Sequence, residues 1–315
     1  MSLAYLVLIF VCSLAILVKG ADFFIESAKK IGIKMGASPF VVGVLIVGLG
    51  TSLPELASSI VAVIKDETTI VVANVVGSNI TNILLVVGIL ALLSKKITIR
   101  RDLLKSELPL FVIATTHFLF IIHDGVVTRL ESLLLLGTFS AYLWYIIKEP
   151  PSDLEVIEEK PKEIKNQNLK LAAFLVLGLI GLIVGAHFTV FSAIEMASLI
   201  GIPISIIAIL GIALGTSLPE LTVSLKAIKT GEADLAIGNI FGSNAINMLL
   251  VAGIPAFITN LYVDDVIMTI GLPILVAASV IFFAHGLSRR LMRWEGVMLL
   301  LFFAFFVVQL LTYIA

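Results

Sequence analysis

GTSLPEL occupies residues 50–56 and recurs at 215–221, each time inside a long apolar run. A proline and a glutamate are poor choices for the middle of an apolar helix, and here the choice is made twice. Sliding the chain over itself by 165 positions, so that Gly215 lies over Gly50, extends the match. GLGTSLPELASSIVAVIKDETTIVVANVVGSNITNILLV (48–86) lies over ALGTSLPELTVSLKAIKTGEADLAIGNIFGSNAINMLLV (213–251), and nineteen of the 39 positions are identical. The same offset pairs Gly20-Ala21 with Gly185-Ala186. The sequence therefore carries an internal duplication.

The surrounding composition fixes the solvent. The chain is 59% hydrophobic and 14% charged, with a mean hydropathy of +1.14, which excludes an ordinary soluble domain. Apolar runs of about 20 residues suffice to cross a hydrocarbon core of ~30 Å. Ten helices are expected, over 3–27, 37–64, 70–93, 104–122, 127–147, 169–192, 202–229, 233–258, 266–285 and 294–314. The first lacks a basic leader and a small-residue cleavage pattern, so it reads as a retained span. Cys12, the sole cysteine, leaves no intrachain disulfide to form.

The hydrophilic stretch 148–168 separates two five-helix halves. It is rich in Pro, Glu and Lys and too short to fold alone. Lys and Arg collect in the loops after helices 1, 3, 5, 7 and 9, whereas the other loops carry only Lys65 and Arg129. The positive-inside rule makes the rich side cytoplasmic and puts both termini outside. Because five is odd, the second copy enters the membrane from the opposite face. The expected fold is an all-α integral membrane protein with ten transmembrane helices in two inverted five-helix repeats: 1–147, a cytoplasmic connector 148–168, and 169–315. Inverted repeats with interrupted helices at matching places mark secondary transporters, with the site near the midplane.

The repeated residues suit a hard cation. Pro54 and Pro219 lack an N–H and displace the carbonyls four residues back, near Gly50 and Gly215. Carbonyls released at membrane depth must be satisfied by something else, and a cation serves. Thr51 with Glu55, and Thr216 with Glu220, lie four apart on one helix face. A carboxylate at the bilayer centre costs at least ~2.5–3.5 kcal/mol, so such groups are usually functional. Proline kinks with back-bonded hydroxyls are common, but they do not explain two matched glutamates. The next helix of each half adds a four-residue ladder, Asn74, Ser78, Asn82 and Asn239, Ser243, Asn247. Gly77 and Gly242 allow close helix approach. Two carboxylates, amide and hydroxyl oxygens and carbonyls form an all-oxygen set of the kind that Ca²⁺ takes, six to eight at about 2.3–2.6 Å.

GTSLPEL followed by GSNxxN, twice, in two inverted halves, resembles the sodium/calcium exchangers of the calcium:cation antiporter superfamily, of the prokaryotic type. The resemblance covers nearly the whole chain. It implies an antiporter exchanging Na⁺ for Ca²⁺ by alternating access, with helices 2, 3, 7 and 8 as the ion-holding core and helices 1 and 6 sliding across it as a gate. Carried over, the implied ligands are Thr51, Ser52, Glu55, Ser78 and Asn82 with Thr216, Ser217, Glu220, Ser243 and Asn247, plus carbonyls near Gly48, Thr51, Ala213 and Thr216. Several family members carry aspartate where this chain has Asn82 or Asn247. Two formal negative charges remain, matched by one Ca²⁺ or two Na⁺.

An H⁺/Ca²⁺ exchanger is the alternative, and a cation channel is less favoured because a pore is usually a symmetric oligomer. No HExxH or GxSxG motif suggests an enzyme. The expected protein has no cofactor and no nucleic-acid partner, sits in the plasma membrane, and works as a monomer in contact with Ca²⁺, Na⁺ and lipid. The histidines at 117, 123, 187 and 285 are scattered. Asp22 and His187 pair at the repeat offset and are candidate gate residues on opposite faces: a carboxylate attracts cations at an entrance, and a protonated histidine repels them.

Overall fold

The computed structural model describes residues 1–34, 48–94, 96–99, 107–148 and 168–314. The expected helical positions 37–47 and 104–106, and nearly all of the 148–168 connector, lie outside them.

The described chain is helical. Its long elements are α1 (Leu3–Lys34), α2 (48–64), α3 (Thr68–Leu93), α4 (Glu107–Ile122), α5 (Arg129–Lys148), α6 (Asn168–Ile200), α7 (Ile204–Lys229), α8 (Ala233–Ile258), α9 (Ile267–Ser288) and α10 (Arg293–Ile314). Of the described helices, seven (α1, α3 and α6 to α10) are long and apolar enough to cross a membrane. Helices suit such a solvent because they satisfy every backbone group internally. α1 and α6 each run further than hydropathy suggests, to Lys34 and Ile200. The extensions AKKIGIK (28–34) and AIEMASLI (193–200) mix polar residues with apolar ones, so the hydropathy signal fades before the helix does.

The helices sort into a core and a periphery. In α3 and α8, 83% and 78% of the apolar window is buried, against 28% in α1 and in α6. Apolar side chains on α1, α6 and α10, such as Leu8, Ile180 and Leu301, point outward, as expected where lipid replaces water.

α1 and α6 pack along each other, and glycines set their closeness. A Cβ on Gly20 would stand 2.6 Å from the Leu182 nitrogen, and one on Gly185 2.6 Å from the Leu17 Cα. Small residues at such a crossing let backbones approach and gain dispersion contacts that lipid cannot supply. Ser13 and Thr189, both buried, join their hydroxyls across the same contact at 2.9 Å.

Gly77 likewise lets α3 meet α7, its Cβ position lying 2.8 Å from that of Ala213. Gly242, expected to do the same, has no such neighbour among the described residues. The counterpart of Ile209 would be residue 44, which falls outside them.

Several local features repeat at the 165-residue offset. Helix α2 consists of Gly48–Thr51 and Leu53–Ile64, broken at Ser52, while α7 breaks at Ser217. The two serines have nearly the same backbone angles, φ −87°, ψ 4° and φ −80°, ψ 2°. The turns after these helices place Asp66 (φ 60°) and Gly231 (φ 85°) in the left-handed region. Glu67 N–H then returns to the Ala62 carbonyl at 2.9 Å, and Glu232 N–H to Ala227 at 2.8 Å.

Among the described residues, four short strands extend the pattern: β1 (Lys96–Thr98), β2 (Val126–Val127), β3 (Leu261–Tyr262) and β4 (Arg290–Met292). β1 pairs antiparallel with β4, Lys96 opposite Met292 and Ile97 opposite Leu291. β2 pairs with β3, Val127 opposite Leu261 and Val126 opposite Tyr262. Adding 165 to one member of each pair and subtracting it from the other turns the first ladder into the second, register included.

Candidate cation-binding site

The two breaks meet at the centre of the core. Beyond Ser52 the helix resumes with Leu53 and Pro54, and beyond Ser217 with Leu218 and Pro219. Proline is tolerated in a first turn because the N–H there has no intrahelical acceptor. The interruption thus falls at the serine, two residues before the proline and two after Gly50 or Gly215, whose carbonyls have no proline N–H to accept.

Glu55 and Glu220 sit in the first turns of the resumed segments, and both are fully buried. Glu55 is close enough to feel the charge of Glu220. The hydroxyl of Thr216 lies near the Glu55 carboxyl, and those of Thr51 and Ser243 lie near the Glu220 carboxyl. None of these contacts reaches hydrogen-bond geometry, so the four carboxyl oxygens accept no hydrogen bond among the described residues. Each motif serves the carboxylate of the other half.

α3 and α8 close the site. Thr51 and Ser243 hydroxyls stand 3.2 Å apart, and Asn82 Nδ2 donates to Asn244 Oδ1 at 3.2 Å. Both bonds cross between the halves. Asn82 and Asn247 lie in π-helical turns, Thr81–Val86 and Asn247–Val251. Such turns are rare and concentrate at functional sites.

Among the described residues the buried oxygens Ser52 Oγ, Ser217 Oγ, Asn82 Oδ1 and Asn247 Oδ1 have no hydrogen-bond partner either. Two uncompensated carboxylates in a dry core would cost several kcal/mol each. A hard divalent cation suits this set: it supplies the missing charge and takes oxygens without needing donors. Among the described residues no three of His, Cys, Asp and Glu gather to hold a softer metal.

The remaining expected residues are placed as follows. Ser78 donates to Asn74 Oδ1 at 3.4 Å. Asn74 in turn donates to the Glu55 carbonyl and to Ser59 Oγ, each at 3.2 Å, so it anchors α2 to α3. Asn239 does the same for Ser224 at 3.3 Å. The Ala213 carbonyl already accepts from the Ser217 N–H at 3.1 Å and the Thr216 hydroxyl at 3.3 Å. The helix at Ala213 is still wound in this conformation, because the break comes only at Ser217. Gly48 opens the described part of α2. Asp22 is exposed and pairs with Lys19 at 3.0 Å. His187 is exposed and meets Phe188 edge to face.

Asn79 and Asn244 are absent from the sequence-derived ligand set. Each follows the serine of the Asn–Ser–Asn stripe by one residue, about 100° further round the helix. Their recurrence within GSN was the available signal.

A family described as sodium/calcium exchanger protein matches this chain over residues 5–148 and 170–312. The chain belongs to that family. The family match leaves out residues 149–169, at the connector. Among relatives, the sodium/calcium exchanger MaX1 of Methanosarcina acetivorans is 34% identical, over 96% of this chain and 97% of that one. The putative antiporter CaxA of Alkalimonas amylolytica is 36% identical over 92% and 93%. A solved structure of the sodium-calcium exchanger NCX_Mj, soaked with Na⁺ and Sr²⁺, superposes with a TM-score of 0.67 at 28% identity and covers 98% of this chain and 99% of that one. The family and the apolar helices make this a multi-pass membrane protein.

Proposed function

We propose that the protein is a secondary active antiporter that exchanges Na⁺ for Ca²⁺ by alternating access. The observation that carries the reading is the meeting of Glu55 and Glu220, one from each GTSLPEL copy, fully buried among oxygens that lack donors. Ca²⁺ or Na⁺ is held by Thr51, Ser52, Glu55, Ser78 and Asn82 with Thr216, Ser217, Glu220, Ser243 and Asn247. Gly48 and Ala213 carbonyls join once the helix unwinds there. The names of MaX1 and NCX_Mj support Na⁺ and Ca²⁺ as the exchanged pair.

Ten spans form two inverted repeats, 1–147 and 169–315, joined by the cytoplasmic connector 148–168. The matched breaks and the two ladders related by the 165-residue offset support this arrangement. The basic loops face the cytoplasm and both termini face outward across the plasma membrane. One chain suffices, since both halves of the site come from it. α1 and α6 move as one body, held by Gly20 and Gly185 and by the Ser13–Thr189 bond. Asp22 and His187, exposed on those helices, line opposite entrances.

The test is ⁴⁵Ca²⁺ uptake into proteoliposomes under imposed gradients. An outward Na⁺ gradient should drive uptake, and K⁺ or H⁺ gradients alone should not. Uptake driven by a pH gradient without Na⁺ would replace this reading with H⁺/Ca²⁺ exchange. Uptake that runs down the Ca²⁺ gradient with no counter-ion would indicate a channel.

A further inference from the structure

Asn79 and Asn244 occupy equivalent places, one residue after Ser78 and Ser243 and three before Asn82 and Asn247. Their bonding differs. Asn244 Oδ1 accepts from Asn82 Nδ2 at 3.2 Å, between α3 and α8. The matching bond would run from Asn247 Nδ2 to Asn79 Oδ1, and it is not made. Asn79 Nδ2 instead donates to the Val75 carbonyl of its own helix at 2.7 Å. Asn79 Oδ1, Asn82 Oδ1, Asn244 Nδ2 and both amide atoms of Asn247 have no hydrogen-bond partner among the described residues, although all four asparagines are fully buried; Asn244 thus bonds across and not to its own helix, and Asn79 the reverse.

Buried amides in folded proteins are nearly always satisfied. An asymmetry of this kind, inside two otherwise matched segments, marks two discrete arrangements of one element. In one, the asparagine bonds across to the opposite half. In the other, it bonds back to its own helix. The crossing bond has a consequence for the site. With Nδ2 held by Asn244, Asn82 turns Oδ1 away from that bond, and this oxygen has no donor among the described residues. Asn247 has no such holder.

We propose that Asn244 and Asn79 are positioning residues used in alternation. Asn244 fixes the Asn82 amide as an ion ligand in the conformation described. Asn79 releases Val75 and fixes Asn247 when the two halves exchange conformations. The inference rests on the antiporter reading, in which that exchange occurs. It also gives a role to asparagine at both ligand positions, because an aspartate has no Nδ2 to donate to the partner amide.

The test is Ca²⁺ exchange in right-side-out and inside-out membrane vesicles, which reads the KM for Ca²⁺ at each face. Removing a group that orients a metal ligand typically weakens affinity by about 10–100-fold. Asn244→Ala should therefore raise KM by about ten-fold at one face and by less than about two-fold at the other. Asn79→Ala should show the reverse pattern. The double variant Asn82→Ala, Asn244→Ala should have a KM no higher than Asn82→Ala alone, since both act through one contact. Asn244→Thr keeps the volume and an accepting hydroxyl, so it should bring KM back toward the wild-type value. It also provides the reading if the alanine variant fails to insert. Equal shifts at both faces, or additive effects with Asn82→Ala, overturn the proposal. Wild-type vesicles without Na⁺-driven exchange would bring down the antiporter reading and this inference with it. Normal wild-type exchange with face-independent or additive variants would bring down this inference alone.

Discussion

Replacing Glu55 or Glu220 with Gln should reduce Ca²⁺ transport to about one hundredth of wild type or less. The change keeps shape and one oxygen but removes half of the buried negative charge. One unit charge at 4 Å is worth about 4 kcal/mol at an effective dielectric of ~20, and each 1.4 kcal/mol is about ten-fold in affinity. Both residues are fully buried, so solvent does little to blunt the effect. Because each carboxyl lies near hydroxyls of the other half, the two variants should fail to similar degrees. Glu195→Gln, an exposed position on α6, makes the same chemical change away from the core and should transport normally. Near wild-type flux in either core variant would remove the glutamates from the site.

Gly185→Val or Gly20→Val should be the most damaging change outside the ion site. At each glycine an added Cβ would lie 2.6 Å from backbone atoms of the facing helix. Backbone cannot swing aside as a side chain can, so α1 and α6 must separate. Overpacking typically costs about 1–3 kcal/mol, and roughly 2–4 °C of melting temperature accompanies each kcal/mol in a chain of this order of size. Transport should fall by more than about ten-fold, since the pair would no longer move as one body. Gly137→Val on α5 meets nothing within 4 Å and is the matched control. If Gly185→Val melts and transports like Gly137→Val, the close crossing is dispensable.

Much of this was legible because duplication and hydropathy are periodic signals that survive without a structure. The two GTSLPEL copies, their offset and the two glutamates were readable from residue spacing. The place of the break was not. Proline announces a kink, but the helix yields at Ser52 and Ser217, where the backbone adopts ψ near zero. The π-helical turns at Thr81–Val86 and Asn247–Val251 were also hidden, because one extra residue per turn leaves hydropathy almost unchanged. α-Helical spacing aligns Asn74, Ser78 and Asn82 in one stripe, and Asn79 falls off it. Spacing by itself does not separate Asn74 from Asn82, and the structure has Asn74, absent from the implied ligand set, binding the Glu55 carbonyl and the Ser59 hydroxyl. Whether a polar residue reaches the ion or braces the helix depends on a rotation of about 100° per residue, which spacing alone leaves open. The paired strands outside the helices carry no sequence signal, because two or three residues give no alternation to read.

In the proposed antiporter the two motif copies build one shared cation site. The most direct measurement is equilibrium ⁴⁵Ca²⁺ binding to the purified protein in detergent, with and without Na⁺. About one Ca²⁺ displaced by Na⁺ per chain is expected, since one divalent ion matches the two carboxylates, with loss of that binding in Glu55→Gln and in Glu220→Gln alike. Two independent Ca²⁺ ions per chain, with each glutamine variant losing one and keeping the other, would contradict it.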